Sequence, residues 1–409
     1  VKLMTAVAQA SGSLLASEVV AGNRADDPLY LPMSRRVRRM LSGKRLLFVG
    51  DSKMAALATR AEITWHKDYY LTVLPNTGET QEQKGEWIAA ALKASSDKEG
   101  AVADYEFDRE NKAKIKVDGR GREVSWTERV QLIYSETLAA QQQKQLEKRL
   151  STAEEKLRQL TPAKGRGKRC FLDEARLREP QQRVIEQHDV VGLLRVTHHV
   201  EERTETHYVG RGRGGVNRPT VTDTSRRYYV ADVQHENEFM TRAQEQLGWR
   251  VQVTNAPVTV MSLSESVARY RQGWRGERHY HLLKDEPLGI SPLYVRKDDQ
   301  IRGLTNLLTL GVRGLTLIES QMQRELKARG EVIQGLYAGS PKQATEHPTA
   351  LAILKAIARM EITLNCVSME GNVSKHLAPL PSLLETILSC LRLPTALYTS
   401  LADNWVLIT

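Results

Sequence analysis

Leu46, Leu47, Phe48 and Val49 form a continuous apolar run that ends in Gly50-Asp51-Ser52-Lys53, and such a run closed by a glycine is the pattern of a strand buried on both faces. Strands of that kind sit in sheets covered by helices on both sides, so the run points to an α/β architecture. It also puts Asp51 at the carboxyl end of a strand. In open α/β sheets ligands and catalytic groups gather at that edge, because the following loop is free to approach a substrate.

The flanking segments fit the same frame. Residues 1–20 cluster apolar positions around a turn at Gly12 and predict a β-hairpin. A helix follows, with Asp27 as N-cap and Pro28 as its first residue, running through Arg35, Arg36, Arg38 and Arg39; capping accounts for Asp26 and Asp27 without a metal role. A helix from Met54 to about His66 and a strand from Tyr69 to Leu74 complete an α/β half-domain. From Asn76 to about Ser225 charged helices and glycine-rich turns suggest an insertion. Its amphipathic segment from Glu128 to Leu160 carries Leu146, Leu150, Ala153, Leu157 and Leu160 in four-three spacing, the seam of a coiled coil or of a helical arm within one domain. Basic residues in glycine-rich surroundings at 164–169 and 211–215 are either phosphate-approaching loops or solvated ones. Strand patterns return at Tyr228 to Val230 and Trp249 to Val253, where they could rejoin the first sheet. A second amphipathic helix over 298–329, with Ile301, Leu304, Leu308, Val312 and Leu315 as its stripe, leads into a mainly helical tail. The expected boundaries are 1–75 and 226–296 for the catalytic domain, 76–225 for the insertion and 297–409 for the helical C-terminal region.

Ser262 lies three residues before Glu265, a capping-box pattern, so a helix is expected from Ser262 until Pro287 stops it. On that helix Tyr270, Glu277 and Lys284, seven apart, fall in one stripe with Trp274, Tyr280 and His281 beside it. A core stripe would carry Leu and Val, whereas this one mixes an acid, a base and aromatics; a packed boundary helix is the structural alternative. Glu277, His279 and His281 diverge on a helix and make a poor shared metal site. Phosphodiester cleavage uses divalent metals such as Mg2+ or Mn2+, which prefer hard carboxylate ligands, and a strand-end Asp51 with a helical Glu277 supplies that donor type. Lys284 and Arg271 would neutralise phosphate, and Trp249 or Trp274 would receive an unstacked base. There is no nucleophile elbow and no phosphate-binding Gly-Lys-Ser/Thr loop, which argues against a serine hydrolase and a nucleotide hydrolase.

Composition agrees with a polyanionic partner: 59 Lys and Arg against 49 Asp and Glu give a formal charge of +10. Cys170, Cys366 and Cys390 are odd in number and widely spaced, which fits a reducing, cytoplasmic setting better than a disulfide framework. No run approaches the roughly 20 apolar residues of a membrane span, and the opening stretch is too interrupted for a signal-peptide core.

The strings GNRADDPLY, FVGDSKMAALATR, LGWRVQVTN, YRQGWRGERHYHLLK with PLGISPLYV, and GLYAGSPKQAT, in that order, resemble the DDE transposases of bacterial insertion sequences, in the group with a Tyr-Arg-Glu-Lys signature. The resemblance covers nearly the whole chain. It implies an RNase H-like catalytic domain interrupted by an insertion, Mg2+ as cofactor, double-stranded DNA with terminal inverted repeats as substrate, target DNA as acceptor and a homodimer in the synaptic complex. Asp51 matches the family's second acid and Glu277 its third, with Tyr270 and Lys284 as flanking signature residues. The family's arginine lies four residues before the glutamate, where this chain has Gly273; Arg271 is the nearest substitute. The family's first aspartate lies on a strand ahead of the opening hairpin, and no counterpart is found here. The expectation is therefore an N-terminally truncated or decayed copy, inactive alone, with a non-catalytic DNA-binding remnant or regulator as the competing function.

Overall fold

The computed structural model describes residues 1–96, 104–161, 171–210, 219–285, 288–369 and 372–402. It is a mixed α/β protein that falls into two compact units, one of residues 1–73, 110–128 and 254–409, the other of 74–109 and 129–253.

The first unit opens with the expected hairpin, β1 (Lys2–Val7) and β2 (Leu14–Val20), paired antiparallel. Gly12 turns it with φ at 66°, a conformation glycine reaches without steric cost. A short 3-10 turn leads into α1 (Tyr30–Met40), followed by β3 (Leu47–Val49), α2 (Leu57–Trp65) and β4 (Tyr69–Val73). β3 and β4 run parallel, with Leu47 opposite Tyr69 and Val49 opposite Leu71, but β3 is an edge strand and only half-buried, not covered on both faces as its apolar run suggests. Further along lie α3 (Glu79–Ser96), β5 (Tyr105–Val117), β6 (Arg120–Tyr134), α4 (Glu136–Gln159), α5 (Glu174–Gln187), β7 (Leu194–Tyr208), β8 (Thr220–His235), α6 (Asn237–Glu245) and β9 (Trp249–Thr254). Then come α7 (Leu263–Arg271), α8 (Trp274–Lys284), α9 (Asp298–Arg329), α10 (Ala350–Arg359), β10 (Leu364–Met369), β11 (Asn372–Leu377), α11 (Ser382–Leu391) and α12 (Ala396–Thr399). A five-stranded sheet has the order β3-β4-β9-β6-β5. β5 and β6 join through Asp118-Gly119 with φ of 50° and 75°, the positive-φ pair that a two-residue hairpin turn needs.

In the second unit Leu146, Leu150, Ala153 and Leu157 of α4 are buried with Val190, Leu194 and Val233 of the same unit. The four-three seam is thus an intramolecular packing face, the helical-arm alternative. β8, which contains Tyr228 to Val230, pairs with β7 in a separate two-stranded sheet and does not rejoin the central one; only the Trp249 strand does.

Several local expectations are corrected. The expected single helix is two: α7 ends at Arg271 with Gln272 as its cap, and the amides of Gln272 and Gly273 bond back three residues, to the carbonyls of Arg269 and Tyr270. Glycine's low helix propensity favours that tightened break. The segment from Glu128 starts as strand, because Val130 and Leu132 alternate with Arg129 and Gln131, and α4 begins only after Ser135 caps it by accepting from Leu138 N. Helix α2 starts at Leu57, later than Met54, which lies in a turn. Neither Asp26 nor Asp27 makes a capping hydrogen bond: Asp26 pairs with Lys2 at 2.7 Å and Asp27 lies 4.0 Å from Lys53. Finally, the helical tail includes the β10–β11 hairpin.

The capping box is present at the start of α7. Ser262 Oγ accepts from the Glu265 amide at 3.3 Å, and Glu265 Oε2 accepts from the Ser262 amide at 2.8 Å. Ser262→Ala is expected to cost about 1 kcal/mol of stability in chemical denaturation.

Candidate active site

Asp51 lies two residues past the end of β3 and is exposed. Its Oδ1 accepts from the Tyr30 hydroxyl at 2.6 Å and from the Lys53 amide at 2.9 Å, while its carbonyl accepts from Thr72 Oγ1 at 2.6 Å. The carboxylate is thereby oriented through one oxygen, and Oδ2 has no hydrogen-bonding partner among the described residues. Burial, followed by the bond to Asp51, raises the Tyr30 phenol well above its usual range, so its hydroxyl stays a donor. Sequence reasoning missed Tyr30. It stood in the GNRADDPLY string, but nothing local in a sequence links a helix-start tyrosine to a strand end 21 residues later.

Glu277 lies in the first turn of α8 and is exposed. The three residues after it fasten the helix. Arg278 makes a two-point ion pair to the buried Glu319 of α9, with contacts of 2.6 and 2.8 Å. His279 Nε2 donates to the Gly12 carbonyl at 2.7 Å. Tyr280 donates to the Leu3 carbonyl at 3.0 Å and lies 3.1 Å from Thr5 Oγ1. The hairpin and α9 thus hold α8, while Glu277 faces solvent.

A cavity of about 360 Å3 lies between β3, the opening hairpin and the break ahead of α8; neither Asp51 nor Glu277 is in its lining. Tyr30 and Val49 line it from the Asp51 side, and Gly273 and Gly276 line it from the Glu277 side. Every residue from Met4 to Gln9 and from Leu46 to Val49 also faces it. Successive side chains of a strand point to opposite faces, so the unbroken runs mean that strand edges form these walls.

The remaining predicted residues are distributed unevenly. Lys284 is exposed on α8, seven residues after Glu277 and on the same helical face. Trp274 is exposed at the start of α8 and Arg271 at the end of α7. Tyr270 is partly buried against Leu71, Ala256 and Met261, and the break after α7 takes it out of the helical stripe shared by Glu277 and Lys284. Trp249 is buried in the second unit, 2% exposed, against Tyr134 and with its indole N–H on the Glu245 carbonyl, so its ring has no free face for a base. The basic stretches 164–169 and 211–215, together with Cys170 and Pro287, lie outside the described residues.

Asp51 and Glu277 are hard oxygen donors of the kind magnesium takes, which commonly uses one or two carboxylates and completes its shell with water and substrate phosphate. Among the described residues no group of three His, Cys, Asp or Glu converges to hold a metal on protein ligands alone.

His279 titrates against the fold. Burial, the largest influence, lowers its pKa, so the folded protein holds the ring neutral while the unfolded chain protonates it near 6.5. Stability contributed this way is complete above that value and declines as pH falls below it. His279→Gln, which keeps a donor for Gly12, is expected to flatten the acid limb of the unfolding free energy measured between pH 7.5 and 5.

Among the described residues, no helix is long and apolar enough to cross a membrane. No curated protein matches the chain. The family model of the transposase DDE domain matches residues 1–310 of the 409. A match over that much of the chain identifies it: the protein belongs to the transposase DDE domain family.

Proposed function

We propose that the chain acts on double-stranded DNA as an insertion-sequence transposase, cleaving at transposon ends and joining the freed 3′ hydroxyl to target DNA, with two copies in the synaptic complex. The catalytic domain in this reading is RNase H-like and is interrupted by the 76–225 insertion. The observation that supports it is one cavity lined by Tyr30, whose hydroxyl holds Asp51, and by Gly276, which immediately precedes Glu277 in α8. Asp51 and Glu277 would hold Mg2+ or Mn2+, which when bound supplies an activated hydroxyl and charge for the leaving oxygen. Tyr30 orients Asp51, Lys284 and Arg271 neutralise phosphate, and Trp274 is the exposed ring available to a displaced base.

The test is a binding and nicking assay on duplexes carrying the element's inverted repeats, with Mg2+ or Mn2+. Preference for the repeats over scrambled duplex, tightened by Mn2+, is the expected result; no preference and no metal effect would overturn the reading. Any nicking must vanish in Asp51→Ala and Glu277→Ala. A second reading is a non-catalytic DNA-binding derivative, supported by the formal charge of +10 without a protein-only metal cluster among the described residues. Repeat binding that neither responds to Mn2+ nor leads to nicking would select it.

A further inference from the structure

On the first unit a second cleft, of about 680 Å3, lies where the end of α1, the turn at residues 42–44, His66 and the β5–β6 turn meet. We propose that this cleft is a binding site for the phosphodiester backbone of duplex DNA, separate from the cavity lined by Tyr30, Val49 and Gly276. The inference rests on the DNA reading above and extends it to a surface that reading did not use.

Five cations line the cleft, Arg35, Arg38, Arg39, Lys44 and Lys116, against the single carboxylate of Asp118. They divide into two groups. Arg35 grips the buried Glu62 through two hydrogen bonds, with its Nη2 2.7 Å from Oε2, and Arg38 pairs with the buried Asp68 and with the His66 carbonyl at 2.9 Å. These two guanidinium groups are held in place from beneath. Arg39, Lys44 and Lys116 are exposed and have neither a hydrogen bond nor an ion pair among the described residues. Exposed cations of one sign at a cleft mouth repel one another, and an anion that bridges them relieves that cost.

The floor suits an extended polyanion. Gly43 and Gly119 sit in tight turns with φ of 83° and 75°, and nothing lies within 4 Å of where a Cβ would stand at either. Backbone can therefore come close to a phosphate at both turns. No Phe, Tyr or Trp is in the lining, so the cleft has no platform for stacking a base. Such a site reads charge and spacing, which positions DNA without selecting sequence.

The experiment is fluorescence anisotropy of the full chain with a labelled duplex lacking inverted repeats, as a function of salt. Each phosphate contact contributes about 0.9 to the slope of log affinity against log salt. The triple variant Arg39→Ala/Lys44→Ala/Lys116→Ala is expected to bind at least tenfold more weakly at low salt, with a slope shallower by about 2 to 3. A control triple at exposed positions of α4, Lys144→Ala/Lys148→Ala/Lys156→Ala, removes the same charge and is expected to keep the slope. Circular dichroism checks that both variants fold. An unchanged slope in the cleft variant, or an equal loss in the control, overturns the proposal while leaving DNA binding standing; an unmutated chain that binds no duplex overturns the DNA reading itself. ATP and inorganic phosphate serve as competitors. Displacement of the duplex by either at micromolar concentration would mean a small-anion site and would also overturn the proposal.

Discussion

Glu128→Ala is expected to destabilise the protein by about 3–5 kcal/mol, the cost of leaving one partner of a buried ion pair without the other. Glu128 is fully buried. It accepts from Arg60 Nη1 and the Tyr70 hydroxyl through Oε1, and from Asn111 Nδ2 at 2.9 Å through Oε2. Arg60 is itself 6% exposed, with its Nε on the Ala55 carbonyl at 2.8 Å, and Tyr70 accepts from the Trp126 indole at 2.9 Å. Removing the carboxylate strands the Arg60 charge in the interior and orphans two further donors. Urea unfolding followed by tryptophan fluorescence reads the loss, with Trp126 inside the cluster. Glu128→Gln keeps an acceptor and should fall between. The double variant Arg60→Met/Glu128→Leu should recover most of the loss, because the attraction within a buried pair only roughly offsets its desolvation. A loss below about 1 kcal/mol in Glu128→Ala would mean that water reaches the site and that the network is not buried in solution.

Asp51→Ala and Glu277→Ala are each expected to weaken Mn2+ binding, measured in the presence of duplex DNA by electron paramagnetic resonance, by more than about a hundredfold. Loss of an outer-shell partner alone typically costs about 10- to 100-fold in metal affinity, and a direct ligand counts for more. Tyr30→Phe tests the positioning role separately. It deletes only the hydroxyl that fixes Asp51 Oδ1, so a drop of about tenfold with unchanged affinity for metal-free DNA is expected. Mn2+ affinity untouched by Asp51→Ala would sink the assignment of that residue, and affinity untouched by Tyr30→Phe would leave the tyrosine a purely structural contact.

Much of the fold was legible along the chain because it depends on local periodicity. The hairpin of β1 and β2, the parallel β3 and β4, and the 32-residue helix α9, closed by Gly330 with φ at 65°, follow from alternation, apolar runs and caps. Legibility failed where two patterns competed. Glu128 to Tyr134 adjoins a helical heptad pattern and yet is strand, since continuous burial of the six residues 128–133 in the sheet outweighs the neighbouring propensity. The heptad from Tyr270 to Lys284 looked continuous, and a single Gly273 broke it.

Residue type and spacing by themselves put Asp51 just past a strand and Glu277 on a helix, because strand ends and helix faces are set by a few neighbouring residues. Tertiary structure alone decided what surrounds the pair. Tyr30 reaching Asp51, Arg278, His279 and Tyr280 fastening α8, Trp249 turning inward, and cations from α1, the 42–44 turn and the β5–β6 turn converging on one cleft are contacts between residues far apart in the chain. Their geometry depends on how packed elements exclude water together, and no local pattern encodes it.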